Sequence, residues 1–185
     1  MALEVEDGTG KADAESVLSV TDLDTMATRE NWPNWPASGQ QVPAKEAALR
    51  QASRWMESRF RTRIQGAVSY AYGLSYHTAF QAFPKSTTQR LLFPMTSFVY
   101  PDGRTLSVGE WLPPEWALGN GLAARRAFLG TLSPDLKRGG RVISKTVGPL
   151  NTQWEHGAPA ETTFPEIEDA LRPLWAAERI VTVRA

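Results

Sequence analysis

Residues 42–64 read VPAKEAALRQASRWMESRFRTRI. Pro43 suits a first helical turn, and Glu46 is favourable near the positive end of a helix macrodipole. Leu49, Ala52, Met56 and Phe60 recur at three- and four-residue steps, and Ala48 and Trp55 widen the stripe. Arg50, Arg54, Glu57 and Arg61 fall mostly on the rest of the wheel. The spacing predicts a core helix from Pro43 to Ile64, with Trp55 inside the core. The other apolar segments need a surface to pack on, and this helix offers the broadest one. It carries no chemistry by itself.

Working toward the N-terminus, Asn31-Trp32-Pro33-Asn34-Trp35-Pro36 breaks the chain into an extended segment, because a residue before proline is driven out of the helical region. Its two indoles need cover, on the core helix or on a partner. Before it, Ser19 or Thr21 can cap a short helix from Asp22 to about Thr28. Residues 1–20 read as an arm, with Ala2-Leu3-Glu4-Val5 as a short edge strand and Asp7-Gly8-Thr9-Gly10 as a turn. Gly10-Lys11 imitates the end of a phosphate-binding loop. Val5 and Ala12 stand where that motif requires glycine and a hydroxyl, so no phosphate cradle is expected.

Working toward the C-terminus, residues 64–84 contain no Asp, Glu, Lys or Arg. Tyr70, Tyr72, Leu74 and Tyr76 alternate as in a strand, while Tyr72, Tyr76, Phe80 and Phe83 also fit a helical stripe. The reading leans to a strand or hairpin arm. Tyr100-Pro101-Asp102-Gly103 is a turn. Pro113-Pro114 opens a second long helix that runs to about Leu129, with Trp116, Leu118, Leu122, Ala123, Phe128 and Leu129 as its apolar surface. Gly119 and Gly121 lie inside it, each costing about 1 kcal/mol relative to Ala unless another backbone approaches or the helix kinks. Val142 to Val147 and Leu150 to Trp154 read as two strands around Gly148-Pro149. Phe164-Pro165 starts a last helix, residues 164–178, with Ile167, Leu171, Leu174 and Trp175 inside. Residues 180–185 form a terminal strand or tail. The fold expected is mainly α: a single domain, residues 1–185, as a small helical bundle (21–130, with 64–100 as an insertion) bearing strand-like arms, a β-hairpin at 141–154 and a C-terminal tail.

The 185 residues carry a formal net charge of zero, so no global attraction to nucleic acid or to an anionic membrane is built in. Residues 1–30 hold eight acids against Lys11 and Arg29, and residues 125–145 hold six bases against Asp135. That polarity suits head-to-tail contacts between copies, or is ordinary scatter. The absence of cysteine excludes a disulfide scaffold and a thiolate metal site. The first residues have no signal-peptide pattern, and residues 64–84 are too polar to span a membrane, so synthesis in a cytoplasm is expected. His77 and His156 are the only histidines, far apart and outside any catalytic motif. Glu166, Glu168 and Asp169 are explained by their place in a first helical turn. No catalytic residue, cofactor or metal is expected. Arg59, Arg61 and Arg63 near Phe60, Tyr70 and Tyr72 suggest stacking of single-stranded bases, but the alternation of cation and ring stops at Arg63.

Several of these pieces, in this order, resemble one phage protein family. The matching stretches are Met1-Ala2-Leu3 with Val5 to Gly10, Ala12 to Ser16, Ala44 to Leu49 with the helix after it, and Gln89 to Pro94. They continue through Asp102-Gly103-Arg104, Pro113 to Leu129, Pro134-Asp135-Leu136, Arg138-Gly139-Gly140, Val147 to Leu150, Phe164-Pro165 and Arg184-Ala185. The family is often labelled DnaT-like single-stranded DNA-binding protein, and its members look like head-to-tail connector adaptors of tailed bacteriophages. Residues 67–85 are longer and more aromatic than that family's pattern, and Gly119 and Gly121 interrupt a helix expected to be smooth.

The resemblance implies a structural protein of the virion neck, made in the host cytoplasm, with no enzymatic role. Such adaptors form a ring, usually of twelve copies. The ring joins the portal protein to the next stopper or tail-completion protein and surrounds the genomic double-stranded DNA. A ring needs one patch to meet a different patch on the next copy, and an added strand is a low-cost way to do so. The segments expected to touch the portal or a neighbouring subunit are Val142, Ile143, Val147 and Leu150 in the hairpin and Ile180, Val181, Thr182, Val183 and Arg184 in the tail. Lys137, Arg138 and Arg141 are the basic residues expected to face the DNA channel. The alternative reading takes the label at its word, as a single-stranded DNA-binding protein of phage replication.

Overall fold

The computed structural model describes residues 2–70, 83–96, 98–130, 132, 142–146, 151–154 and 164–175. Its helices are α1 (Val20–Arg29), α2 (Val42–Tyr70), α3 (Pro114–Leu129) and α4 (Pro165–Leu171), the last running into a 3-10 turn at Arg172–Leu174. Two short antiparallel ladders complete it. Strands β1 (Phe83–Pro84) and β2 (Met95–Thr96) pair, as do β3 (Val142–Thr146) and β4 (Asn151–Trp154). The protein is mainly helical with extended arms, as its residue patterns predict.

The core forms where α2, α3 and α4 meet. Leu49, Ala52, Met56, Phe60 and Ile64 present one continuous buried face of α2. Trp116, Ala123 and Ala124 answer it from α3, and Ile167 and Leu171 from α4. Trp55 is only partly buried, packing at the rim of this core against Phe60 and Phe164. Leu129, expected among the apolar residues of α3, is exposed.

The glycines of α3 mark where that packing is tightest. A Cβ at Gly119 would lie 2.7 Å from Leu171 Cδ2 and 3.2 Å from Met56 Cε. One at Gly121 would collide with Met26. Neighbouring side chains from α1, α2 and α4 therefore fill the notches, which offsets the propensity cost of glycine.

Several boundaries differ from the sequence reading, and α1 begins at Val20 rather than Asp22. The core helix does not end near Ile64 in favour of a strand. It continues to Tyr70, and residues 71–82 lie outside the described residues. Where periods of 2 and 3.6 both fit, extending an existing helix adds one hydrogen bond per residue without a new nucleus. Glu46 stands beyond the first turn, because α2 starts at Val42. Its carboxylate instead accepts from Leu3 N–H at 3.4 Å and lies 3.6 Å from Arg50. The last α-helix stops at Leu171 rather than near residue 178, since Pro173 has no N–H to continue the ladder.

The Trp-Pro segment finds its cover within the chain, on α1 and α3 more than on α2. Trp32 is buried, Trp35 is half-buried, and their rings meet edge to face at 5.5 Å. Trp35 also packs on Phe128 at 4.9 Å and donates its indole N–H to Asp24 at 2.9 Å. Ser19 is the N-cap of α1 and forms a reciprocal capping box with Asp22, worth about 1 kcal/mol.

Candidate functional site

The N-terminal segment is not a free arm. Val5 makes a single parallel bridge to Ser16 in place of an edge strand. Glu6 is buried, and its carboxylate accepts from the N–H groups of Gly8 (3.0 Å), Gly10 (2.8 Å) and Lys11 (2.9 Å). The loop that imitates a phosphate cradle thus closes around the chain's own carboxylate. Gly8 and Gly10 have φ of +91° and +86°, a region that glycine enters without strain. Lys85 Nζ donates to Gly8 O, and Arg90 N–H to Lys11 O, so the loop is tied to residues 85–90.

The acids of this region are largely engaged at home. Lys11 pairs with Glu4 and Asp7. Arg50 donates to Glu15 at 2.7 Å and holds that carboxyl below its usual range. Asp24 is buried with Lys45, 2.6 Å away. The charge polarity visible in the sequence is in this part an internal network rather than a face left open for a neighbouring copy.

A cleft of about 380 Å³ opens between α2 and residues 90–91. Arg54, Glu57, Ser58 and Arg61 line it from α2, Arg90 and Leu91 from across, and Glu15 from the N-terminal segment. Arg61 donates to Glu57 at 2.9 Å and to Arg90 O at 2.7 Å, which fixes its guanidinium at the rim. Leu92 N–H donates to the other oxygen of Glu57 at 2.8 Å. Arg54 and Arg90 are exposed, and neither side chain makes a hydrogen bond or ion pair among the described residues. Sequence reasoning missed this site because residues 54 and 90 carry no shared motif.

Burial pushes the Glu57 carboxyl up, although Leu92 N–H and Arg61 pull the other way. A carboxyl raised on folding makes its ionised form unfavourable. The cost is present above the folded pKa and vanishes below the unfolded value. Glu57→Gln is therefore expected to melt higher than the parent at pH 7, with the difference shrinking toward pH 4. A variant that melts lower by the same margin at every pH would contradict this.

Among the described residues, several aromatic faces are engaged within the chain; Tyr72, named for base stacking, lies outside the described residues. Arg59 sits over Trp55, Arg63 over Trp175, Arg104 over Tyr100 and Arg125 over Trp32, each within 6 Å of the ring centre. Phe60 and Trp175 stack on each other at 5.5 Å.

Of the residues expected to make assembly contacts, Val142 and Ile143 lie in β3. Val147, Leu150, Ile180, Val181, Thr182, Val183 and Arg184 lie outside the described residues, as do Lys137, Arg138 and Arg141 of the expected DNA-facing set. The hairpin pairs Val142 with Trp154, Lys145 with Thr152 and Thr146 with Asn151, with an irregularity between Val142 and Ser144. It is a two-stranded sheet, and the outer edge of each strand meets no other strand among the described residues. No group of acids and histidines among the described residues is arranged to hold a metal ion, and no helix is long and apolar enough to cross a membrane.

A family model described as "Putative DnaT-like ssDNA binding protein" matches residues 1–185. No curated protein and no solved structure matches. The family's description speaks of single-stranded DNA and does not mention a connector.

Proposed function

This chain belongs to the family of DnaT-like ssDNA-binding proteins, and we propose that within it the chain acts as a structural subunit, a connector adaptor in the neck of a tailed bacteriophage. In this reading about twelve copies form a ring that joins the portal to the next stopper or tail-completion protein around the double-stranded genome. The observation that carries it is the β3–β4 hairpin, neither edge of which meets another strand among the described residues. A lone two-stranded hairpin is marginal in water, and open edges are templates for strand addition. A neighbour's strand would pair with such an edge. Among the described residues, the Arg-capped faces of Trp55, Trp175, Tyr100 and Trp32 also favour a structural role, since base stacking needs rings that are free.

Replacing residues 141–154 by a short Gly-Ser linker tests the hairpin's part. The cooperative melting transition is expected to persist, while association with the portal protein weakens more than tenfold, about 1.4 kcal/mol. Unchanged association would remove the hairpin from the interface.

The second reading is single-stranded DNA binding. The family description favours it over the connector, and the arginine-lined cleft beside α2 gives it a place. Titration of the isolated protein with an oligonucleotide over a range of salt separates the two readings. Strong binding that falls as salt rises supports the second.

A further inference from the structure

We propose that the cleft between α2 and residues 90–91 is a phosphate-group site, in which Arg54 and Arg90 grip a phosphodiester and Arg61 orients it. The inference deepens the single-stranded DNA reading and rests on it.

The charge balance of the cleft supports this. Glu15 is held by Arg50 at 2.7 Å, and Glu57 by Arg61 and by Leu92 N–H. Both lining carboxylates are therefore already paired with a cation. Arg54 and Arg90 face the same concavity with no side-chain hydrogen bond or ion pair among the described residues, Arg90 adding only a longer-range attraction to Glu15. Guanidinium is planar and always charged, and its donors match the oxygens of phosphate in pairs.

Geometry adds to this. Arg54 and Arg61 are seven residues apart on α2, about 10.5 Å along the axis, so the cleft runs along the helix instead of closing around a point. The guanidinium of Arg61 is fixed by Glu57 and by the Arg90 carbonyl, so little entropy is lost in ordering it on binding. An elongated cleft lined by two guanidinia that make no hydrogen bond or ion pair among the described residues suits a strand better than a free ion.

The test is fluorescence anisotropy of the full chain with a labelled twelve-residue oligothymidylate, across salt, with inorganic phosphate and a decaglutamate peptide as competitors. Circular dichroism melts verify that each variant folds. Under the single-stranded DNA reading the parent binds, and the R54Q/R90Q double variant binds about tenfold more weakly. Its slope of log affinity against log salt should be shallower by about 1.4, since each single-strand phosphate contact contributes roughly 0.7. Inorganic phosphate should compete weakly and decaglutamate not at all. Oligonucleotide binding that the double variant leaves unchanged would overturn the site while leaving the single-stranded DNA reading intact. Absence of binding by the parent would overturn both. Displacement by decaglutamate at the oligonucleotide's own potency would show a carboxylate site for an acidic protein partner, and would also overturn the proposal.

Discussion

Lys45→Met is expected to destabilise the protein by about 3–5 kcal/mol, the penalty for leaving a buried charge without its partner. The side chains of Lys45 and Asp24 are 0% and 8% exposed, and their charged atoms are 2.6 Å apart. Lys45 Nζ also donates to the carbonyls of Pro36 and Ala37, at 3.2 and 3.1 Å. Asp24 accepts from the indole of Trp35. One ion pair therefore ties α1, the Trp-Pro segment and the start of α2 together. The double variant K45M/D24L is expected to recover most of the loss, because replacing both partners by apolar groups removes the uncompensated charge. Urea unfolding checks both variants. Equal losses in the single and double variants would mean that the site depends on Trp35 and the two carbonyls rather than on charge.

The same pair sets a pH dependence. Burial pushes the Asp24 carboxyl up, but hydrogen bonds from Lys45 and Trp35 outweigh it, and the pKa falls below the usual value. A carboxyl depressed on folding contributes stability that is fully present above its unfolded pKa, about 3.9. That contribution is lost as pH falls through the lower folded value. The parent should therefore lose stability on acidification through this range faster than K45M/D24L does.

Phe60→Ala is the second large effect, expected to cost about 3–5 kcal/mol, the range for truncating a buried aromatic side chain. Phe60 is 1% exposed. Its ring meets Trp55 edge to face at 5.6 Å and stacks on Trp175 at 5.5 Å. It thereby joins the buried face of α2 to the turn that follows α4. The loss should appear in urea unfolding followed by tryptophan emission, with a red shift as Trp175 loses its cover. A change below about 1 kcal/mol would mean that the neighbouring rings collapse into the gap.

Much of the helical scaffold is legible in the chain. The α2 stripe, the Pro113-Pro114 opening of α3 and the Ser19 cap are local signals, decided by residues within a few positions of each other. The structure departs from the sequence where two local signals tie or where contacts are distant. The segment from residue 64 onward leans to a strand in the sequence, but α2 continues to Tyr70, and the positions on which the strand and helix periods tie, Tyr72 to Phe80, lie outside the described residues. Pro173 reads plainly in hindsight, because a missing N–H ends an α-helical ladder. Gly119 and Gly121 read as a cost, and only the positions of Leu171, Met56 and Met26 show what they make room for.

The candidate sites were less visible. Lys45 and Asp24 are 21 positions apart, and Arg90 reaches the α2 cleft across a further stretch of chain. Neither spacing has a period or motif. The hairpin is legible as two strand-like runs around Gly148-Pro149, but the edges that no other strand meets among the described residues are a property of the sheet and not of the residues.

The central claim is tested most directly by mixing the purified chain with a portal protein of the same phage and imaging the product by electron microscopy. A stoichiometric collar on one end of the portal, about twelve copies around its axis, is the predicted result. No association at any salt or protein concentration, together with salt-dependent oligonucleotide binding, would contradict the connector role and leave the single-stranded DNA reading in its place.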